Sequence, residues 1–256
     1  STQAKIVVTP VSVGGALSSG SSGACEGANG GTLTLTGYVG KILRWEASTD
    51  GGSTWVSIAD TTATYTYSNI LKTTAYRAVV QSGKCSSANS TASTISLIPS
   101  PVAVFTADTV CEGAATTFKN MSTISSGVIL YSVWNFGDGG LSLASNPTHL
   151  YPAGGVYDAS LQLTSNLGCS DTLIVKVKVN TKPSTTITSS TGKLNGCFGD
   201  NITLMGSAGT YKYLWNTNST TKDINVNATG TYKLTVTDSL TGCKASDSVK
   251  VQIFSQ

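Results

Sequence analysis

The tripeptide Cys25-Glu26-Gly27 returns at intervals of 86 residues, as Cys111-Glu112-Gly113 and then as Cys197-Phe198-Gly199. Each copy is followed by a tryptophan and, later, by a second cysteine. These landmarks are Trp45 and Cys85, Trp134 and Cys169, and Trp215 and Cys243. The chain is therefore built from three repeats, and this internal period governs how the remaining residues are interpreted.

Between the landmarks, apolar and polar residues alternate with a period of two. Leu33 and Leu35 alternate with threonines, and Tyr232, Leu234 and Val236 alternate with lysine and threonine. This alternation is typical of strands with one face on a core and the other in water. About seven short strands per repeat, separated by Gly, Asn, Asp and Ser, predict an all-β fold of three tandem immunoglobulin-like β-sandwiches.

The composition narrows the possible partners. Charged residues are 11% of the chain, and a formal charge of +3 spread over three repeats provides no basic stripe, so we expect no nucleic-acid partner. No apolar run approaches the roughly 18 residues of a membrane helix, so we expect no membrane insertion. The first residues lack a signal-peptide pattern, and we expect an internal fragment of a longer protein.

Prolines mark the boundaries between the repeats. Pro99-Ser100-Pro101 separates the first two, and residues 181–184 separate the second from the third. Proline and the residue before it favour extended backbone, as a linker requires. We therefore predict domains at residues 1–98, 99–180 and 181–256. Short linkers would string them into an elongated array in which each repeat has its chain neighbours as partners.

The middle repeat carries the most specific signature. It reads Trp134-Asn135-Phe136-Gly137-Asp138-Gly139, then Asn146-Pro147-Thr148-His149-Leu150-Tyr151, then Gly155-Val156-Tyr157. This pattern resembles a PKD domain over about residues 99–180. The first repeat, through residues 43–55, resembles immunoglobulin-like repeats of very large surface proteins of Bacteroidota. The third is similar to the same group through residues 213–215 and 230–232.

The resemblance implies a location and a role. Such repeats occur in SprB-like gliding adhesins, which the type IX secretion system exports. We therefore expect a non-catalytic stretch of a secreted cell-surface adhesin, acting as a spacer and presentation fibre in gliding motility or surface attachment. An extracellular surface or a polysaccharide is the candidate partner. The alternative is a carbohydrate-binding or accessory region of a secreted polysaccharide hydrolase, because related repeats also serve as spacers there.

Six cysteines, two per repeat, indicate an oxidising compartment. We predict one disulfide within each repeat, namely Cys25–Cys85, Cys111–Cys169 and Cys197–Cys243. In a plain seven-strand sandwich, however, the two cysteines of a repeat would lie at opposite ends. Either the topology departs from that arrangement or a pairing is wrong. Free buried thiols are a further possibility, and the lack of any Cys-x-x-Cys argues against a metal site.

His149 is the only histidine, so any hydrolytic triad would depend on it. Within the PKD signature we expect its ring instead to pack beside Trp134 and to hydrogen bond to a turn. Thirteen acids are dispersed over three repeats, without a metal-ligand cluster or a phosphate-binding loop. The sequence therefore predicts that the chain is not an enzyme.

The tryptophans divide into two groups. Trp45, Trp134 and Trp215 recur once per repeat, and we predict that they fill the space between the two sheets. Trp55 lies outside this correspondence. Two roles are open for Trp55: an exposed role in sugar stacking or packing, and a core or edge-covering role.

Asp138 is the one candidate metal ligand. A carboxylate in a glycine-rich turn can bind Ca²⁺, but the Asp-x-Asp-x-Asp-Gly spacing of a calcium loop is missing. We expect the side chain to bond its own turn instead, and we predict no other cofactor.

Five Asp-(Ser/Thr)-X segments resemble the O-glycosylation site of Bacteroidota. The candidate acceptors are Thr61, Thr109, Thr172, Ser239 and Ser248. Asp-Ser and Asp-Thr also form ordinary turns, so a local structural role is the alternative for each segment.

Overall fold

The computed structural model describes residues 8–255, which form 24 β-strands and no helix. Consequently no helix among these residues could cross a membrane. The predicted all-β fold of tandem immunoglobulin-like sandwiches is confirmed. The alternating burial of the strands follows the sequence pattern, as in β3, Gly30–Thr36, where Leu33 and Leu35 are buried and their neighbours are not.

Between residue 8 and residue 98, the described part of the first repeat contains nine strands. They are β1 Ala16–Ser19, β2 Gly23–Cys25, β3 Gly30–Thr36, β4 Lys41–Ser48, β5 Val56–Ile58, β6 Thr64–Ser68, β7 Thr74–Gln81, β8 Ala88–Asn89 and β9 Ser93–Ile98. One sheet has the order β1-β3-β6. The other has the order β2-β9-β7-β4-β5, with β8 also paired to β7.

The middle repeat contains eight strands. They are β10 Phe105–Ala107, β11 Val110–Cys111, β12 Thr116–Asn120, β13 Ile129–Asn135, β14 Leu141–Ser142, β15 Thr148–His149, β16 Gly155–Ser165 and β17 Ser170–Asn180. The sheet orders are β10-β12-β15 and β11-β17-β16-β13-β14, which match the arrangement of the first repeat.

The third repeat, as described up to residue 255, contains the seven strands expected. They are β18 Thr188–Ser189, β19 Asn195–Cys197, β20 Ile202–Met205, β21 Tyr211–Trp215, β22 Asp223–Val226, β23 Gly230–Asp238 and β24 Lys244–Phe254. Its sheet orders are β18-β20-β22 and β19-β24-β23-β21.

The described chain divides into two compact units whose limits differ from those of the repeats. One unit comprises residues 8–103, 122–132 and 162–172, and the other comprises residues 104–121, 133–161 and 173–255. The first unit therefore contains the first repeat together with loops and strand ends of the middle repeat. The second contains the remainder of the middle repeat and the third repeat. The predicted domain boundaries and the elongated array stay predictions.

Each core is centred on the tryptophan that recurs in the sequence. Trp45, Trp134 and Trp215 are at most 1% exposed, which confirms their predicted core role. Each indole N–H donates to a backbone carbonyl of a neighbouring loop, at distances between 2.9 and 3.0 Å. Because burying an unpaired indole N–H is costly, this shared bond lets each ring lie wholly inside its sandwich.

A short parallel strand pair is common to all three repeats. The strand that ends in the first cysteine pairs with the last strand of the same repeat, so that Cys25 lies beside Ile98. In the other repeats the pairs are Cys111 with Asn180 and Cys197 with Phe254. The first cysteine of each repeat is therefore placed where the chain leaves the repeat, which we call the trailing end. The opposite end, where the chain enters, is the leading end.

Candidate functional site at the cysteine-bearing ends

Two disulfides are present among the described residues, and both join cysteines of successive repeats. Cys25 bonds to Cys169 and Cys111 bonds to Cys243, each with 5.6 Å between the Cα atoms, a normal separation for a disulfide. Cys85 and Cys197 are free. The predicted pairing within each repeat, Cys25–Cys85, Cys111–Cys169 and Cys197–Cys243, is therefore wrong.

The third repeat shows why a bond within one repeat is not possible. Cys243 immediately precedes β24, and Cys197 pairs with Phe254, the final residue of that strand. β24 has 11 residues. At ~3.3 Å per residue its ends are separated by about 30 Å, several times the reach of a disulfide. The concern that the two cysteines lie at opposite ends of the sandwich was thus correct.

The first repeat has the same arrangement. Thr74, at the start of β7, pairs with Ile95 close to the trailing end, and Cys85 follows the far end of that strand. Cys25 lies beside Ile98. β7 alone spans eight residues, so at least about 20 Å separates the two cysteines along the strand direction.

The bond between Cys25 and Cys169 forms where the chain passes from one repeat to the next. The N–H of Glu26 donates to the carbonyl of Ile98 at 2.8 Å, which holds Cys25 against the departing strand. The Sγ atom of Cys169 lies 4.0 Å from the same carbonyl oxygen. Ile98 therefore contacts both half-cystines. The disulfide and the peptide linker connect the first repeat to the middle repeat at the same place.

The bond between Cys111 and Cys243 has matching surroundings. The N–H of Glu112 donates to the carbonyl of Asn180 at 2.8 Å, as Glu26 does to Ile98. Cys169 and Cys243 are both fully buried, and each stands directly after a glycine with positive φ, in a tight hairpin. The two junctions thus repeat one design.

Aspartates following the second cysteine also hold the incoming chain. Asp171 accepts a hydrogen bond from the N–H of Ala103 at 2.7 Å, and Asp247 accepts one from the N–H of Ile187 at 3.0 Å. This role was not predicted. The only signal for it is that both aspartates recur shortly after a cysteine in successive repeats.

Asp138 and His149 form a polar pair in the middle repeat. His149 Nε2 lies 2.7 Å from Asp138 Oδ2, and the N–H of Gly140 donates to Asp138 Oδ1 at 2.9 Å. Burial opposes ionisation of Asp138, but the bonds with His149 and Gly140 outweigh it and hold the pKa of this carboxyl below its usual value. The expected bond of Asp138 to its own turn is present.

The His149 ring packs differently from our expectation. It stacks on Phe136, with ring centroids 4.0 Å apart, and meets Tyr151 edge-on at 4.7 Å, whereas we expected Trp134 beside it. Burial raises the pKa of Tyr151 to about 12, and its hydroxyl donates to the carbonyl of Phe136 at 3.0 Å. The pair is therefore part of an aromatic cluster that supports the turn.

Within residues 8–255 no three His, Cys, Asp or Glu side chains come together as a metal site would require. Both oxygens of Asp138 already accept hydrogen bonds from the protein. Its carboxylate is therefore engaged in the turn, and the Ca²⁺ candidate has no ligand set of its own among the described residues.

Trp55 covers the edge of the first repeat. Arg77 lies over its ring, 4.0 Å from the centroid, and the indole N–H donates to the carbonyl of Gly52. Arg77 also bonds the buried Glu46 at 2.7 Å. Burial opposes ionisation of Glu46, yet hydrogen bonds from Arg77 and Arg44 outweigh it and lower its pKa. One face of Trp55 is thus occupied by a cation, which favours the edge-covering role over sugar stacking.

The five candidate glycosylation acceptors are all exposed, at Thr61, Thr109, Thr172, Ser239 and Ser248. The aspartates that precede two of these acceptors form hydrogen bonds within the protein. Asp60 accepts bonds from Thr62, and Asp238 accepts bonds from Leu240 and Thr241, in short turns. Turn formation therefore accounts for these two segments, and modification at the five positions stays a prediction.

Two segments of the chain match known families. Residues 13–99 match the family described as "Domain of unknown function (DUF8696)". Residues 99–181 match the family described as "PKD domain". The resemblance inferred from the signature of the middle repeat is therefore confirmed. The origin of the chain in a Bacteroidota adhesin stays a prediction.

The chain is similar to part of the pre-pro-metalloprotease PrtV of Vibrio cholerae serotype O1, 37% identical over 70 residues. That segment is 27% of this chain and only 8% of the protease. The solved PKD1 domain of PrtV is 36% identical and covers 32% of this chain and 98% of that domain, with a TM-score of 0.30. A 1.5-MDa bacterial ice-binding adhesin aligns over 95% of this chain and 99% of its own at 12% identity, with a TM-score of 0.32.

Proposed function

We propose that the chain is a non-catalytic spacer of a large extracellular adhesin, in which each β-sandwich repeat is bonded covalently to the next. The observation that carries this proposal is the pair of disulfides between successive repeats, Cys25–Cys169 and Cys111–Cys243. A spacer must transmit force without losing its folded length. Bonds that bypass the linkers serve that purpose directly.

The two bonds shorten the covalent path through the chain. By backbone alone, 218 residues separate Cys25 from Cys243. With both bonds intact, the shortest route crosses to Cys169, runs back over 58 residues to Cys111 and crosses to Cys243. The largest end-to-end length of the unfolded segment falls from about 740 Å to about 200 Å. Complete unfolding with both bonds intact would thus extend this segment to only about a quarter of the length that the reduced chain reaches.

The bonds also stabilise the folded repeats. They close loops of 144 and 132 residues. In the chain-entropy account, each such loop lowers the entropy of the unfolded chain enough to contribute about 4–5 kcal/mol. That amount is comparable with a large part of the stability of one small domain.

The PKD match and the disulfides support an extracellular location. Disulfides persist in oxidising compartments, and a low-charge sandwich with a small core benefits from them there. The role in gliding motility and export by the type IX system belong to this proposal as its finer form. They rest on the resemblance of the first and third repeats alone.

Single-molecule pulling on the whole chain tests the spacer function. With handles at both ends, the oxidised protein should reach full extension with about 160 fewer residues of released length than the reduced protein. Equal lengths before and after reduction would contradict the proposal.

Two variant pairs act as matched controls in the same experiment. Cys25→Ser/Cys169→Ser leaves one bond and a path of 86 residues between positions 25 and 243, from 25 to Cys111. Cys111→Ser/Cys243→Ser leaves a path of 74 residues, from Cys169 to 243. These lengths follow from bonds between repeats and differ from those that bonds within repeats would produce.

The accessory region of a secreted enzyme is the second candidate, favoured by the 37% identity with a segment of a metalloprotease. In that case the repeats would position a catalytic domain located elsewhere in the protein. A polysaccharide pull-down with the intact chain separates the candidates. Saturable binding to one polymer would favour the accessory role, whereas no retention together with shortened extension would favour the spacer.

A further inference from the structure

The free Cys197 occupies the same backbone position as the two bonded cysteines at trailing ends. Like Cys25 and Cys111, it pairs in parallel with the last strand of its repeat, here at Phe254. A glycine with positive φ follows two residues later in every repeat, at Gly199 in this one. The parallel pairing and the glycine that follows thus place Cys197 at the trailing end in the same way as Cys25 and Cys111.

The free Cys85 corresponds to the bonded cysteines at leading ends. The backbone bridges Val13–Val39 and Val102–Thr123 place Pro10 of the first repeat in the position of Pro99 in the second. The Sγ atom of Cys85 lies 3.7 Å from the carbonyl oxygen of Pro10. In the bonded junction, the Sγ atom of Cys169 lies 4.0 Å from the carbonyl oxygen of Ile98. Ile98 directly precedes Pro99, the residue that corresponds to Pro10.

The surroundings of both free cysteines are more open than those of the bonded ones. Cys197 is exposed where Cys25 and Cys111 are half-buried, and Cys85 is half-buried where Cys169 and Cys243 are fully buried. Beside Cys197, the large apolar side chains Phe198 and Phe254 are 74% and 49% exposed. The trailing end at Cys197 is therefore open, whereas the equivalent ends at Cys25 and Cys111 are covered by a neighbouring repeat.

We propose that Cys197 and Cys85 are the two halves of a further junction, in which the trailing end of one copy of this chain docks on the leading end of a second copy and bonds to it. The inference rests on the junction disulfides of the proposed function and extends them to contacts between chains. It is a heterologous, head-to-tail contact, so repeated docking adds copies in one direction, as an open chain or, where the rotation between successive copies closes, as a ring.

Bond formation requires a disulfide oxidant, for which oxidised glutathione suffices. The Cys197 thiolate attacks a glutathione sulfur, forming a mixed disulfide and releasing one glutathione thiolate. The Cys85 thiolate of the second copy then attacks the Cys197 sulfur and displaces the second glutathione thiolate. Two thiols have lost two protons and two electrons, and one oxidised glutathione has become two reduced glutathiones.

Mixing two single variants tests the pairing. Cys85→Ser retains only the trailing-end thiol, and Cys197→Ser retains only the leading-end thiol. Each is incubated alone and both are mixed at equal, high concentration in a glutathione redox buffer, with one variant ¹⁵N-labelled. Non-reducing mass spectrometry should show heterodimers in the mixture, at least about tenfold above the homodimers that either variant forms alone.

Peptide mapping of the same samples distinguishes failure of this inference from failure of the proposed function. A Cys197–Cys85 peptide, together with intact Cys25–Cys169 and Cys111–Cys243 peptides, is the expected result. Homodimers as abundant as heterodimers, or only monomers carrying glutathione, would overturn the inference while the internal bonds remained. Loss of the internal bonds themselves would instead contradict the proposed function.

Discussion

The middle repeat and its two neighbours share a fold but differ in how their cysteines are used. In the middle repeat both Cys111 and Cys169 are bonded, one to each neighbouring repeat. The first and third repeats each have one bonded cysteine and one free one, Cys85 and Cys197. The cores, by contrast, are alike, each with its buried tryptophan.

This difference teaches that the disulfides depend on neighbouring repeats and not on the interior of a repeat. A cysteine is bonded here only where a trailing end meets a leading end. The repeats therefore fold on equivalent cores and are joined by equivalent ends, so changes to the core and changes to the ends should have separable effects.

Removing one junction bond should have the largest effect on stability. Cys25→Ser/Cys169→Ser should lower the free energy of unfolding by about 4–5 kcal/mol, because a 144-residue loop is no longer closed. The matched control, Cys85→Ser/Cys197→Ser, removes two thiols that are not bonded and should change it by less than about 0.5 kcal/mol. Unfolding in guanidinium measures both changes in the free energy of unfolding. Equal losses would contradict the distinction between bonded and free cysteines.

Core substitutions should affect the repeats equally. Trp134→Ala and Trp215→Ala each remove a fully buried ring and should each cost about 3–5 kcal/mol. Hydrogen exchange read by mass spectrometry can assign the loss of protection to one repeat. A much smaller loss of unfolding free energy in the doubly bonded middle repeat would show that the effects of the core and of the bonded ends on stability are not separable.

The pair of Asp138 and His149 in the middle repeat should make the free energy of unfolding depend on pH. The folded-state pKa of Asp138 is below its ordinary value of 3.8, so its contribution to stability is complete well above pH 3.8 and is lost as the pH falls through the folded-state value. Asp138→Asn should cost about 1–2 kcal/mol at pH 7, as loss of a charge-assisted hydrogen bond does. Unfolding measured from pH 7 to pH 3 should show the wild-type advantage shrinking toward the acid end.

The smallest effect is expected at the aspartates that hold the incoming chain. Asp171→Ala and Asp247→Ala each remove one acceptor of a backbone N–H and should each cost about 1 kcal/mol. Because both junctions repeat one design, the two costs should agree within experimental error. Thermal unfolding of each variant measures them, and a several-fold difference would mean that the two junctions are not equivalent.

Local features of the chain were predictable from its sequence. The period of 86 residues, the alternation along the strands and the core role of Trp45, Trp134 and Trp215 depend on neighbours in sequence or on burial alone. The turn role of Asp138 followed from glycines around it. These patterns report secondary structure and core packing, which the three repeats share.

The disulfide partners were not predictable in the same way. The short parallel pairing that sets Cys25 beside Ile98 has no signature in its three residues, and a partner in another repeat depends on which ends meet. The position of the two cysteines at opposite ends of a sandwich was the available signal. Likewise, the stacking of His149 on Phe136 depends on a turn geometry that the spacing of the signature does not specify.

Disulfide mapping of the oxidised chain tests the central claim most directly. Under non-reducing conditions and at low protein concentration, proteolytic peptides should pair Cys25 with Cys169 and Cys111 with Cys243, and should leave Cys85 and Cys197 free to react with an alkylating reagent. A peptide joining Cys25 to Cys85, or Cys197 to Cys243, would contradict bonding between repeats.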